Sequence, residues 1–512
     1  MGSLSLTLRL ATDFSEKHLV EAISKKCHTS DFTYRIDSQS LDARKKHDIH
    51  WVLNILVSSS ALKGPDPIPI PELTIPWKKR NKKIVVVGSG PAGFFSAFVL
   101  QKAGYSVTLI ERGFDIEKRA KSLLHFERTA EFDPHGNYAF GEGGAGTFSD
   151  GKLTSRSKRI SLEKRFILSS YIAAGAPEDI AWMAHPHLGS DHLRKIVPKL
   201  REMYLSLGGT IQFDAQLMGL TSQKGCILEA QTKTESLKAD YYVVATGHSA
   251  YETYRMLIQT GIEFRTKNFA IGSRIEHPQS LINQLQWGCE ALPGVNSAEY
   301  RLTANPQDLL PVYTFCMCPG GGVVPSMAYP EMNCVNGMSL YQRNSLYANA
   351  ACVAAVNLNS LLGRTVEPLE ALDWVENLER QFYSFSKSYQ APACSIQDFI
   401  NGALEEPLPK SSYCFGLVRA PLWELLPAEI SSSLRAGLID FSRKMRGFEE
   451  GVIMGLESKT SAPIQAVRDE HRRCAGFTNL YMVGEGSGYS GGIISSAADG
   501  VQAALQIISE ST

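Results

Sequence analysis

The chain has 512 residues, and its 52 Lys+Arg balance 52 Asp+Glu, so the formal net charge is zero. That balance removes any general attraction to nucleic acid or to an anionic membrane. A hydrophobic content of 44% with 20% charged residues describes an ordinary folded protein of two or three domains. The 10 cysteines are spread thinly, which fits a reducing compartment rather than a disulfide scaffold, and none of their spacings makes a zinc site. No hydrophobic signal core stands near the N-terminus, and the uncharged stretch from Ile84 to Gln101 is broken by Pro91 and three glycines. The expectation is therefore a cytoplasmic protein with no membrane partner.

Residues 1–62 read as a small α/β unit. Leu4 to Leu10 alternates apolar and polar like a half-buried strand, Glu16 to Cys27 has helical spacing, and Phe32–Ile36 and Ile49–Val57 read as further strands. Arg44-Lys45-Lys46 falls between two of these strands and reads as a solvated loop. Residues 63–77 form a linker, because Pro65, Pro67, Pro69 and Pro71 fall at every second position and Pro76 follows. Such spacing forbids helix and gives a semi-rigid extended spacer.

At residue 78 the pattern changes. Ile84 to Val87 is a short apolar run, followed by Gly88-Ser89-Gly90-Pro91-Ala92-Gly93, a helical stretch, and a second strand ending in Glu111-Arg112. Gly88 permits the tight turn, Gly90 lets a pyrophosphate approach the backbone, and Gly93 lets the helix pack closely on the sheet. Pro91 and Ala92 open that helix, whose free N–H groups and partial positive charge suit phosphate. Glu111 stands where a carboxylate accepts hydrogen bonds from ribose hydroxyls. A glycine turn alone is weak evidence; strand, glycines, helix, strand and acid in sequence predict a dinucleotide site.

The later chain is less regular. A glycine-rich stretch covers 136–153, a helix is expected over 191–207 and ends at Gly208-Gly209, and short strands lead to Ala239–Gly247. Leu480 to Val483 is a strand, Gly484 to Gly488 a turn, and Ile493 to Ile508 a helix rich in small residues. The fold class expected is α/β: a discontinuous Rossmann-like domain (78–261 and 446–512), an inserted mixed α+β domain (262–445), and the small N-terminal α/β unit.

These motifs carry a resemblance. The opening turn with Glu111, the strand ADYYVVATG (239–247) and LYMVGEGSGYSGGIISSAADG (480–500) resemble the three signatures of FAD-dependent oxidoreductases of the glutathione-reductase-like superfamily. FGEGGAGTFSDGKL (140–153), AIGSRIEHP (270–278), TFCMCPGGGVVP (314–325) and the N-terminal SLDARKKHDIHWV (40–52) are similar to stretches of an uncharacterised group of FAD-dependent dehydrogenases within it. The resemblance covers nearly the whole chain. It implies that Gly143, Gly144 and Gly146 pack against the flavin or pyrophosphate. It also implies that Thr246 and Gly247 belong to the second signature, and that Gly484, Glu485, Gly491, Gly492 and Ile493 reach the pyrophosphate, the ribityl chain and the flavin's pyrimidine edge. One glycine turn early and one late suits FAD, which is long and must be gripped at both ends. Glu111 repels a 2′-phosphate, an objection that Arg112 softens.

Four residues are candidates for the chemistry. Lys152 either stabilises negative charge on reduced flavin or is a surface lysine. His248 and His277 are each a proton carrier or a structural histidine. Arg274 either holds a substrate anion or pairs with Glu276. Cys316 and Cys318 read as buried strand cysteines rather than a redox pair, since a one-residue spacing strains a disulfide.

The leading expectation is an oxidoreductase passing a hydride between a small-molecule substrate and FAD, with NAD(P)H as a possible transient donor. Two alternatives stay open. One is an RNA-modifying flavoprotein using Arg44-Lys45-Lys46, Lys78-Lys79-Arg80 and Arg156-Ser157-Lys158-Arg159 as a basic stripe. The neutral chain argues against it. The other is a non-catalytic FAD-bound protein whose N-terminal unit docks a protein partner or a second subunit.

Overall fold

The computed structural model describes residues 2–67, 69–155 and 157–510. Met1, Ile68, Arg156, Ser511 and Thr512 lie outside the described residues, and with Arg156 so does part of the third basic run.

The N-terminal unit is a three-stranded antiparallel sheet of Gly2–Leu10, Thr33–Asp42 and His50–Ser59, with the last strand in the middle. The helix Glu16–Cys27 turns Leu19, Ile23 and Cys27 onto Leu8, Leu53, Ile55 and Val57 of the sheet. Residue His28 ends this helix in a left-handed conformation. Hydrogen bonds between Gln39 and the backbone of Trp182 and Ala184 fasten the unit to the rest of the chain. The described part of 63–77 has neither helix nor strand, as alternate prolines require.

The chain then enters a parallel sheet. Strand β1 (Lys83–Val87) leads through the glycine turn into helix α1 (Pro91–Lys102) and back along β2 (Ser106–Ile110). A long helix, Gly189–Ser206, returns to β3 (Thr210–Gln212). A three-stranded antiparallel cover of Gly219–Gln223, Cys226–Gln231 and Ser236–Leu237 precedes β4 (Tyr241–Val244).

The inserted unit is an eight-stranded, mainly antiparallel sheet. Strand β5 (Phe269–Pro278) is central, and β6 (Val312–Pro325), β7 (Val335–Ser339) and β8 (Tyr347–Val356) lie to one side. On the other side runs β9 (Val452–Glu457), paired directly with β5. The inserted sheet therefore extends past residue 445, where the sequence pattern ended it. The Gly447–Gly451 turn imitates a domain boundary, but it merely delivers β9 to an open edge of β5. Two helices, Pro368–Ser386 and Ala428–Lys444, cover one face through Leu372, Phe382, Leu434, Leu438 and Phe441, which pack with Ile271 and Ile275. Phe264–Thr266 pairs with Ile464–Ala466, so the two chain crossings into the insert form one antiparallel neck.

The chain returns with β10 (Leu480–Met482) and α2 (Ile493–Glu510). The parallel sheet then reads β10-β4-β1-β2-β3. Helix α2 crosses α1 at very short range, where a Cβ on Gly500 would collide with the Ala92 carbonyl. Gly500→Val is expected to force these helices apart at a cost of about 1–3 kcal/mol, read as a lower thermal midpoint. An unchanged midpoint would contradict the close crossing.

Candidate functional site

Three glycine-rich turns meet above the carboxyl ends of the parallel strands. A Cβ on Gly88 would collide with the Ala245 carbonyl, and one on Gly93 with the Gly88 carbonyl, so both positions are closed to side chains. A Cβ on Gly144 would stand 3.0 Å from the Gly90 Cα, and one on Gly146 3.0 Å from Ile493 Cγ1. The 141–146 loop thus lies backbone-to-backbone on the start of α1 and against the start of α2. On the other side, a Cβ on Gly484 would stand 2.6 Å from that of Ala92. Gly143 turns beside Thr147 in the same loop.

Between these closed contacts the backbone is open. Gly247 and Gly492, both at positive φ, have nothing within 4 Å of the place a Cβ would take. Gly491 meets only the Glu485 carboxylate at 3.9 Å, and Gly90 only Gly144 at 3.7 Å. Beside Gly247 and Glu111 in the chain, the buried atoms Thr246 Oγ1, His248 Nε2 and Arg112 Nε have no hydrogen-bond partner among the described residues. Two helix N-termini, a Cβ-free cradle and unpartnered polar atoms fit the diphosphate and ribose of a long dinucleotide.

Glu111 organises this region from beneath. Its carboxylate accepts hydrogen bonds from Ser89 N (2.8 Å), Ser89 Oγ (2.9 Å), Gly113 N (2.9 Å) and Gly141 N (3.1 Å). One side chain thus ties the first glycine turn to the 141–146 loop, and a ribose hydroxyl reaches it only by sharing or displacing one of these bonds. Arg112 lies with its guanidinium 3.8 Å from the Phe140 ring centre and 2.5 Å from Glu252 Oε1. Pro91 and Ala92 form the first turn of α1.

Sequence reasoning missed Arg119, which is fully buried. Its guanidinium donates to the carbonyls of Asn137, Tyr138, Glu142 and Gly144 at 2.8–3.0 Å, fixing the loop. Burial lowers its pKa to about 10. Its only sequence signal was a cation on the inner face of the Ile116–Thr129 helix. Phe140 and Glu252 gave no signal, since Glu252 follows Arg112 by 140 residues.

The four candidates for chemistry separate clearly. His248 is 9% exposed, with Nδ1 3.5 Å from Glu485 Oε2 and Nε2 unpartnered. The Lys152 ammonium donates to the Met317 carbonyl and lies 3.7 Å from Asp150 Oδ2. Burial opposes its charge, but the Asp150 carboxylate outweighs that and raises its pKa. Asp150 is itself held well below the usual carboxylate range; burial opposes this, and Lys152 and Arg343 prevail.

Arg274 is fully buried and does not present itself to a ligand. Its partner is Glu457 Oε2 at 2.8 Å, with Asn349 Oδ1 at 2.8 Å, Asn336 Oδ1 at 3.1 Å and the Cys316 carbonyl at 2.8 Å. The expected pairing with Glu276 is replaced because residues two apart on a strand stand roughly 7 Å apart, and neighbouring strands bring nearer partners. Glu276 instead accepts from Ser412 N at 2.9 Å. His277 lies on the opposite, helix-covered face of β5, its Nε2 2.8 Å from the Phe448 carbonyl. That is a packing position, remote from the glycine turns. Cys316 and Cys318 are free; Cys318 is buried as expected, whereas Cys316 is exposed where β6 bulges.

Two family models match the chain. "Pyridine nucleotide-disulphide oxidoreductase" covers residues 82–276, and "FAD-dependent protein, C-terminal domain-like" covers 268–460. A Clostridium beijerinckii protein named "Uncharacterized protein" is 34% identical over 525 residues, spanning 98% of this chain and 97% of its own. Among solved structures, CtdE in complex with FAD aligns at 10% identity over 84% of both chains with a TM-score of 0.33. A geranylgeranyl bacteriochlorophyll reductase-like protein of Thermoplasma acidophilum aligns at 13% identity over 84% of this chain and 79% of its own, with a TM-score of 0.37.

Burial lowers the His277 pKa from 6.5 to about 4. Between those values the unfolded chain holds a proton that the folded chain refuses. The contribution to stability is therefore complete above about pH 6.5 and is lost as pH falls toward 4. At 1.36 kcal/mol per unit it amounts to about 3 kcal/mol. His277→Gln is expected to flatten the fall in thermal midpoint across this window; an identical fall would assign the acid sensitivity elsewhere.

Proposed function

We propose, on the premise that the chain belongs to one family with its Clostridium beijerinckii relative, a family of FAD-dependent oxidoreductases, that it passes a hydride between a small molecule and bound FAD. FAD is the cofactor and supplies the hydride-accepting and hydride-donating chemistry. The chain's own residues bind, orient and handle protons.

The starts of α1 and α2 and the backbone at Gly90, Gly247, Gly491 and Gly492 receive the diphosphate. The 141–146 loop, with Arg119 holding its carbonyls, carries Gly143, Gly144 and Gly146 against the same ligand. The open face of the inserted sheet, with Cys316 on it and Lys152 docked against it through the Met317 carbonyl, bounds the substrate side and excludes water. Arg274 is neutralised in place by Glu457, and Lys152 shares Asp150 with Arg343. His248 is the proton carrier, with Glu485 beside Nδ1 and Nε2 free to give or take the proton. That buried, unpartnered Nε2 is the observation that carries the reading. NADH or NADPH docks transiently as the electron source, since the insert is an antiparallel sheet and not a second dinucleotide fold.

The test begins with anaerobic addition of NADH and NADPH to the FAD-loaded protein; bleaching of the flavin by one of them is expected. His248→Gln is then expected to keep its FAD. Reoxidation of its reduced flavin by a benzoquinone, which needs a proton, should slow by about 10²–10⁴-fold. Reoxidation by ferricyanide, which takes electrons alone, should not change. Equal slowing with both acceptors, or none with either, would remove His248 from the proton path.

A further inference from the structure

The end of the parallel sheet remote from the glycine turns holds an open cavity of about 390 Å³. Side chains alternate across a strand. Lys83, Val85 and Val87 of β1 therefore share one face with Ser106, Thr108 and Ile110 of β2. Val85, Val87 and Ile110 join the core beneath the three-stranded cover, together with Ile227 and Tyr242. Lys83, Ser106 and Thr108 do not; they line the cavity, and Ser236 and Lys238 at the end of the cover complete it.

The pattern breaks a rule of such sheets. Parallel strands covered on both faces read as continuous apolar runs, and the opposite face here obeys, with Ile84, Val86, Val107 and Leu109 all buried. On the cover side, Thr108 is half-buried and Lys83, Ser106, Ser236 and Lys238 are exposed around an open groove, because the cover stops short of the start of these strands. Among the described residues, no hydrogen bond occupies the hydroxyls of Ser106, Thr108 or Ser236. No carboxylate lines the cavity; the nearby Asp240 spends Oδ2 on the Lys83 backbone N–H at 2.7 Å. Lys82 is engaged elsewhere, with its ammonium 3.3 Å from the Tyr241 hydroxyl. Val85 and Leu237 supply an apolar wall.

We propose that this cavity binds a small phosphorylated compound with an apolar body. The phosphate sits between Lys83 and Lys238 and takes hydrogen bonds from the three hydroxyls, while the body lies against Leu237 and Val85. Charge-assisted donors around one anion and an apolar wall beside it are the chemistry of such a site, and the volume falls in the range of small-molecule pockets. The site is separate from that of FAD. Lys83 and Gly88 stand at opposite ends of β1, roughly 15 Å apart at the rise of a strand, so occupancy does not compete with FAD.

The test uses the FAD-loaded protein and pyridoxal 5′-phosphate, a phosphorylated aromatic aldehyde. Its aldehyde condenses with a lysine amine, water leaves, and borohydride reduces the imine to a stable secondary amine that peptide mass spectrometry locates. Lys83 or Lys238 is expected to be labelled at least tenfold faster than the solvent-facing Lys17 and Lys199. Pyridoxine 5′-phosphate, which lacks the aldehyde, should protect it, and pyridoxal without phosphate should show no preference. Thr108→Val, with unchanged FAD content, should weaken that protection about tenfold. Labelling no faster than at Lys17 and Lys199, or preference that survives loss of the phosphate, would overturn the proposal. Protection unchanged in Thr108→Val would overturn the place given to the hydroxyls.

Discussion

Everything at the site depends on the contact of backbone with backbone where three glycine turns converge. A Cβ on Gly144 would stand only 3.0 Å from the Gly90 Cα, and Gly484 against Ala92 and Gly500 against the Ala92 carbonyl leave no room for one. That closeness brings the positive ends of α1 and α2 to one place, the arrangement that the proposed diphosphate site requires. Chain segments some four hundred residues apart are thereby made into one site. Glu111 from below and Arg119 from the side hold the arrangement with eight hydrogen bonds, seven of which involve backbone groups.

The inserted sheet solves a different problem. Ionised groups on and against its face toward the site are held out of bulk water in pairs: Arg274 with Glu457, and Lys152 and Arg343 with Asp150. Breaking such a pair leaves an uncompensated buried charge, which typically costs about 3–5 kcal/mol. The Arg274–Glu457 pair is neutral, whereas two cations on Asp150 leave one net positive charge on that wall. The proton role proposed for His248 rests on its second nitrogen being left unpaired among the described residues, at the join between the second signature and the C-terminal turn.

How far the sequence could be read follows from the range of each interaction. The turn at Gly88–Gly93, the strand ending at Glu111 and the helix after Gly492 were legible because a local pattern encodes them. The N-terminal unit was legible for the same reason, through alternation in its strands and the helical spacing of Leu19 and Ile23. Partners distant in sequence were not legible. Arg274 lay near Glu276 on paper but meets Glu457, and His277 resembled a site histidine until β5 turned it onto the helix-covered face. The run Val452–Glu457 looked like the return to the first domain because its glycine-flanked turn mimics a boundary. Arg119 looked like one more cation on an amphipathic helix.

The most direct test of the account is to identify what the purified protein holds and where. Heat release of the bound flavin, its identification by chromatography and its quantitation against protein should give one FAD per chain, lost when Gly144 is replaced by Val so that the two turns are forced apart. A protein that takes up no FAD on reconstitution, or that binds it equally well with Val at position 144, would contradict the central claim that converging glycine backbones form the FAD site.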